Sequence, residues 1–90
     1  MATKVGSGSN LPAGGTHVWW WNNFVFGQVY SFSAQPLSGG YYAGEKQAQV
    51  TSVKYVVTPQ HDAPSKTHIE IVVYNPGASS TNYDLYLTFG

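Results

Sequence analysis

The chain contains no cysteine, which excludes disulfide staples and thiolate metal sites. It contains no arginine, and its basic side chains are Lys4, Lys46, Lys54 and Lys66 alone. A nucleic-acid interface needs a concentrated basic footprint, and so does a polybasic membrane anchor. Four scattered lysines provide neither. Charge of either sign is scarce: 9% of the residues are charged, against about 25% in an average globular chain. The acids are Glu45, Asp62, Glu70 and Asp84, and the net charge is zero. No apolar run approaches the roughly 20 residues of a membrane-spanning helix. The opening stretch MATKVGSGSNLPAGG lacks the apolar segment of a secretory signal. The expected location is therefore the cytoplasm, or the exterior by a non-classical route. No N-x-Ser/Thr glycosylation sequon occurs either.

What remains is aromatic. Of the 90 residues, 16% are Phe, Trp or Tyr, and all three tryptophans stand in a row as Trp19, Trp20 and Trp21. A chain of this length forms one small domain. It buries roughly 60–65% of the surface its unfolded state exposes, so its core has little to spare.

Residues 1–15, rich in Gly, Ser, Pro and Asn, read as a flexible or loosely draped arm. From residue 16 to 90 the pattern is that of strands and turns, with no convincing helix. Six of the chain's ten glycines and four of its five prolines punctuate runs of Val, Tyr, Thr, Phe and Trp. The expected strands are His17–Trp21, Gln28–Ala34, Gln47–Thr58, His68–Tyr74 and Asn82–Phe89. Asn22-Asn23 is expected to turn the chain, because Asn tolerates positive φ. Residues 35–44 and 59–66 read as loops. Within Gln47–Thr58 the apolar positions change phase near Thr51-Ser52, which points to a β-bulge or to a strand that switches sheets.

The last two strands alternate most cleanly, with Ile69, Ile71 and Val73 on one face and Tyr83, Leu85, Leu87 and Phe89 on one face. Paired as a hairpin, Val73 would lie beside Tyr83, Ile71 beside Leu85 and Ile69 beside Leu87, with Glu70 opposite Tyr86. Five or more short strands, each with one apolar face, predict an all-β fold of two packed antiparallel sheets. An immunoglobulin-like or jelly-roll-like sandwich is favoured, with a small β-barrel as the alternative.

Catalytic signatures are sparse. No G-x-S-x-G elbow supports a triad among the serines and three histidines. Glu70 and Asp84 could share a face as a carboxylate pair, but outward charges on strands ordinarily serve solvation. A non-catalytic protein is expected. His68 and Glu70, two apart on a strand, share a face, yet two ligands do not make a metal site. Neither a metal nor a cofactor is expected.

Strand alternation turns Trp19 and Trp21 one way and Trp20 the other. One buried face cannot absorb all three. A large ring is worth ~150–250 Å² of buried apolar area, so part of the cluster belongs to the core. An outward ring flanked by hydrogen-bonding side chains forms the amphipathic platform that a neutral saccharide requires. The candidate site comprises Trp19, Trp20, Trp21, Asn22, Asn23, Tyr41, Tyr42 and Asp84, with Gln28 nearby. The composition thus favours a lectin-like module, multivalent through a homo-oligomer. The alternative is a structural β domain whose Trp cluster forms a subunit interface, since interfaces are rich in aromatics and poor in charge. Membrane-interface contact is a lesser alternative, weakened by the lack of lysine beside the tryptophans.

Overall fold

The computed structural model describes residues 1–37 and 44–89. It contains six strands: β1 (Thr3–Leu11), β2 (Thr16–Asn22), β3 (Tyr30–Pro36), β4 (Gln49–Gln60), β5 (Ala63–Tyr74) and β6 (Thr81–Phe89). They form two three-stranded antiparallel sheets, ordered β1-β6-β3 and β2-β5-β4. The sheets pack face to face as the expected β-sandwich. Ile69, Ile71 and Val73 of β5 and Tyr83, Leu85 and Leu87 of β6 fill the space between them, joined by Leu11, Phe24, Tyr30 and Phe32.

The two apolar stripes do meet, but not as a hairpin. Strand β6 is the central strand of one sheet and β5 of the other. Their apolar sets therefore oppose each other across the sandwich rather than along a ladder, and Glu70 lies opposite Trp20 and Lys54, not Tyr86. The local hairpin is instead β4–β5, closed by His61-Asp62 with Gln60 paired to Ala63. Asp62 takes the positive φ of 59° that the tight turn requires. Residues expected as a loop between Pro59 and Pro64 thus continue the two strands. The bulge expected near Thr51 is present as a register shift between Val50 and Ser52.

Residues 3–11, expected as a loosely draped arm, form strand β1 paired with β6. The two glycines among them, Gly6 and Gly8, are what admit the strand. A Cβ at Gly8 would lie 2.2 Å from the Tyr83 ring, and one at Gly6 would lie 2.6 Å from the Trp19 ring. Small residues here let two large rings fill the core from beneath β1. Register shifts at Lys4/Gly6 and Gly8/Leu11 bend the strand, with Asn10 at φ 56°.

Two polar groups tie the layers together. The Tyr83 hydroxyl accepts from Trp19 Nε1 at 2.7 Å and lies 2.8 Å from His17 Nδ1. An indole N–H can only donate, so the phenolic proton is free to point at His17. At one end of the sandwich the fully buried Asn75 donates to the carbonyls of Leu11 (3.0 Å) and Ser79 (2.8 Å) and accepts from Gly77 N–H (2.8 Å). Its backbone also pairs with Gly14 and Gly15. The β1–β2 and β5–β6 connections are thereby locked to each other.

Candidate functional site

Strand β2 runs beside β5 in unbroken register, with Trp20 opposite Glu70 and Asn22 opposite His68. Alternation turns Trp19 and Trp21 inward, where both pack half-buried against the core. Trp21 meets Tyr30 and Phe32, and Trp19 meets Tyr83 edge-on. Trp20 points outward and is 60% exposed. The row of three therefore divides as period-2 geometry dictates: two rings for the core and one for the surface.

The outward ring is held in place. Its indole stacks on the His68 imidazole, with centroids 4.4 Å apart and planes 18° from parallel. His68 Nε2 lies 3.4 Å from Glu70 Oε2, and the same oxygen takes Lys54 Nζ at 3.2 Å. The Lys54 hydrogen bond holds the Glu70 carboxyl below the usual carboxylate range, against partial desolvation, with His68 adding to it. A chain of contacts from Lys54 on β4 through Glu70 and His68 on β5 thus fixes the angle of Trp20 on β2.

Beside the indole lies an open depression of about 470 Å³, lined by Trp20, Asn22, Asn23, Thr58, Lys66, Thr67 and His68. Asn23 sits at φ 65°, the left-handed turn expected of it. Its N–H donates to the Thr67 carbonyl at 2.9 Å, and Thr67 Oγ1 donates to the Phe24 carbonyl at 3.3 Å. The turn is pinned to β5, so the two asparagines hold fixed positions around the indole. Amides, hydroxyls and an ammonium surround a flat apolar ring, an arrangement suited to stacking and hydrogen bonding.

Of the expected site residues, Trp20, Asn22 and Asn23 come together. Trp19 and Trp21 do not line the depression, because both face the core. Asp84 lies on the outer face of the other sheet. There Ser7 Oγ donates to it at 2.8 Å and Lys4 Nζ approaches to 3.4 Å. The Ser7 hydroxyl, followed by Lys4, holds its carboxyl below the usual range despite partial desolvation. Glu70 and Asp84 are consequently on opposite outer faces and form no carboxylate pair. Gln28 is half-buried in the β2–β3 connection, its N–H bonded to the Val25 carbonyl. Tyr41 and Tyr42 lie outside the described residues.

Sequence reasoning missed Thr58, Lys66 and Thr67, and placed His68 only as a weak metal ligand. The β2–β5–β4 register would have found them, but no motif announces that pairing. Among the described residues, no three His, Asp or Glu side chains converge as a metal site. No family model matches this chain, and no curated protein or solved structure is detectably similar to it.

Proposed function

We propose that this protein is a non-catalytic carbohydrate-binding module in which Trp20 is the stacking platform for a neutral saccharide. The observation that carries the reading is the presentation of Trp20. Its indole is solvent-exposed on a sheet face, braced on one side by His68, and bordered by Asn22 and Asn23 at a depression of about 470 Å³. The apolar C–H face of a pyranose covers the free indole surface. The amides of Asn22 and Asn23, with the Thr58 hydroxyl, meet its hydroxyl groups. Bracing the ring in advance lowers the ordering cost of binding. Because the depression is open, affinity is expected to be weak, with dissociation constants of order 1 mM, equivalent to about −4 kcal/mol.

The test is tryptophan fluorescence and calorimetry during titration with a panel of neutral mono- and disaccharides. A saturable quench or blue shift with one sugar class is expected. Trp20→Ala should weaken that binding at least tenfold, or about 1.4 kcal/mol, with the thermal transition unchanged. A wild-type protein silent to every sugar would overturn the reading, as would a Trp20→Ala variant that binds equally well.

A further inference from the structure

Strand β4 is the least covered element of the fold. Among the described residues only β5 pairs with it, so one edge of its backbone has no described strand beside it along 12 residues. Its inward side chains are exposed as well: Val53 by 37%, Tyr55 by 42% and Val57 by 44%. In register they sit opposite Ile71, Ile69 and Thr67 on the core side of the sheet, yet the facing sheet covers them only in part: the Tyr55 hydroxyl accepts from the Tyr30 N–H of β3 at 2.9 Å, and the rest of the strip stays open. The other edges are better protected. Strand β1 is bent by two register shifts, β3 ends in Pro36, and the inward tryptophans of β2 are packed against the core.

The apolar strip on β4 continues through ring contacts. Tyr55 meets Phe24 at 5.1 Å, which meets Phe26 at 5.3 Å; Tyr55 also meets Tyr30, which meets Phe89 at 5.2 Å. Phe26 and Phe89 are exposed. Long open edges beside apolar surface are templates for another strand, and a chain with zero net charge does not repel its own copies.

We infer that this edge pairs with β4 of a second copy of the same chain, antiparallel, about a two-fold axis through Tyr55. The sequence on the edge selects that register. The bulge at Thr51 and the missing N–H of Pro59 bracket a regular stretch, Ser52–Thr58, whose midpoint is Tyr55. About that midpoint Val53 lies opposite Val57 of the partner subunit, Ser52 opposite the partner's Thr58, and Tyr55 opposite the partner's Tyr55. All three inward apolar positions meet apolar positions. Lys54 meets the partner's Val56 while its ammonium stays on Glu70 of its own chain. A two-fold through Lys54 would instead set two lysines directly opposite, which is destabilising. The product is a continuous six-stranded sheet. The contact is isologous and closes at two chains. It is independent of the saccharide reading, because Trp20 lies on the far edge strand of the same sheet.

The test is molar mass by light scattering and sedimentation at sub-millimolar concentration, on the wild-type chain and register-specific variants. The wild type is expected at twice the chain mass, and Val53→Lys and Val57→Glu each at the mass of one chain. The double variant carrying both should recover the dimer, since each new lysine then faces the partner's new glutamate. Near-ultraviolet spectra check that each variant is folded; should the charged variants unfold, Val53→Thr and Val57→Thr take their place and should each raise the dissociation constant at least tenfold. A monomeric wild type, single variants that stay dimeric, or a double variant that fails to re-associate would overturn the proposal.

Discussion

Gly8 is the tightest point of contact between β1 and the core. At Gly8 the missing Cβ is space that the Tyr83 ring occupies, and the ring is fully buried between the sheets. Gly8→Ala must push either the strand or the ring, an overpacking change that costs about 1–3 kcal/mol. In a domain of this size that lowers the thermal midpoint by roughly 4–8 °C per kcal/mol. Gly14 and Gly27 have open space where a Cβ would sit, so their demand is for positive φ rather than room. Asn75 acts by hydrogen bonding instead. Asn75→Ala leaves two carbonyls and the Gly77 N–H without their partner, at about 1–3 kcal/mol for each group left buried and unpaired. Thermal denaturation distinguishes the two mechanisms when combined with Asn75→Asp. That variant keeps the acceptor for Gly77 but loses the donors, and is expected to recover part of the loss. An Asn75→Ala protein as stable as wild type would remove Asn75 from its role as the clasp between the two connections.

At the scale of the element, the two outer faces carry one paired carboxylate each, and both titrate below the ordinary range. A carboxyl whose pKa is lower folded than unfolded stabilises the native state while it is ionised. The contribution is complete above the unfolded value, near pH 4, and is lost as pH falls through the lowered folded value. Ser7→Ala removes the largest cause of the shift at Asp84 and should raise its midpoint without moving that of Glu70. Lys54→Met should do the converse. Carboxyl carbon shifts followed by NMR from neutral pH downward read both, and equal midpoints in variant and wild type would refute the assigned causes. The same faces show how much of each strand was legible in sequence. Period-2 alternation correctly sorted Trp20 from Trp19 and Trp21, and placed Ile69, Ile71, Val73, Tyr83, Leu85 and Leu87 in the core. The phase change at Thr51 located the bulge. Alternation reports facing and not neighbours, however. Two strands with matched apolar faces satisfy it equally across a ladder or across a sandwich, and so β5 and β6 were paired where they oppose each other. Strand β1 left no clear pattern, because two of its inward positions are Gly6 and Gly8 and register shifts separate them from Val5 and Leu11. For the site, Asn22 and Asn23 follow Trp20 in sequence and were found. Thr58, Lys66 and Thr67 reach it only through the β2–β5–β4 register.

For the whole molecule, shape joins the two surfaces. The Cα radius of gyration is 15.2 Å, against about 12 Å for a compact domain of this length, and the longest extent is 55 Å. Strands of 12 residues in β4 and β5 span roughly 40 Å, so their hairpin extends well past the shorter strands. This length exposes the β4 edge and, on the other side of the sheet, supplies Thr58 and Lys66 to the depression beside Trp20. If β4 pairs with its copy about Tyr55, the strand order across the dimer is β2-β5-β4 followed by its mirror order in the partner. Both Trp20 rings then emerge on one outer face, separated by five inter-strand spacings and two residues of stagger, or roughly 25 Å. Two weak sites held at that distance should bind a divalent saccharide whose linker spans it with a gain of about 10²–10⁴ over the monovalent sugar. A linker much shorter than the gap should give no gain. Val53→Lys should abolish the gain and leave monovalent affinity untouched, while Trp20→Ala should abolish both and leave the dimer mass untouched. Calorimetry with a series of linker lengths reads these outcomes separately. Avidity that survives in the Val53→Lys monomer would show that the two sites act within one chain, and would sever the link between the β4 edge and binding.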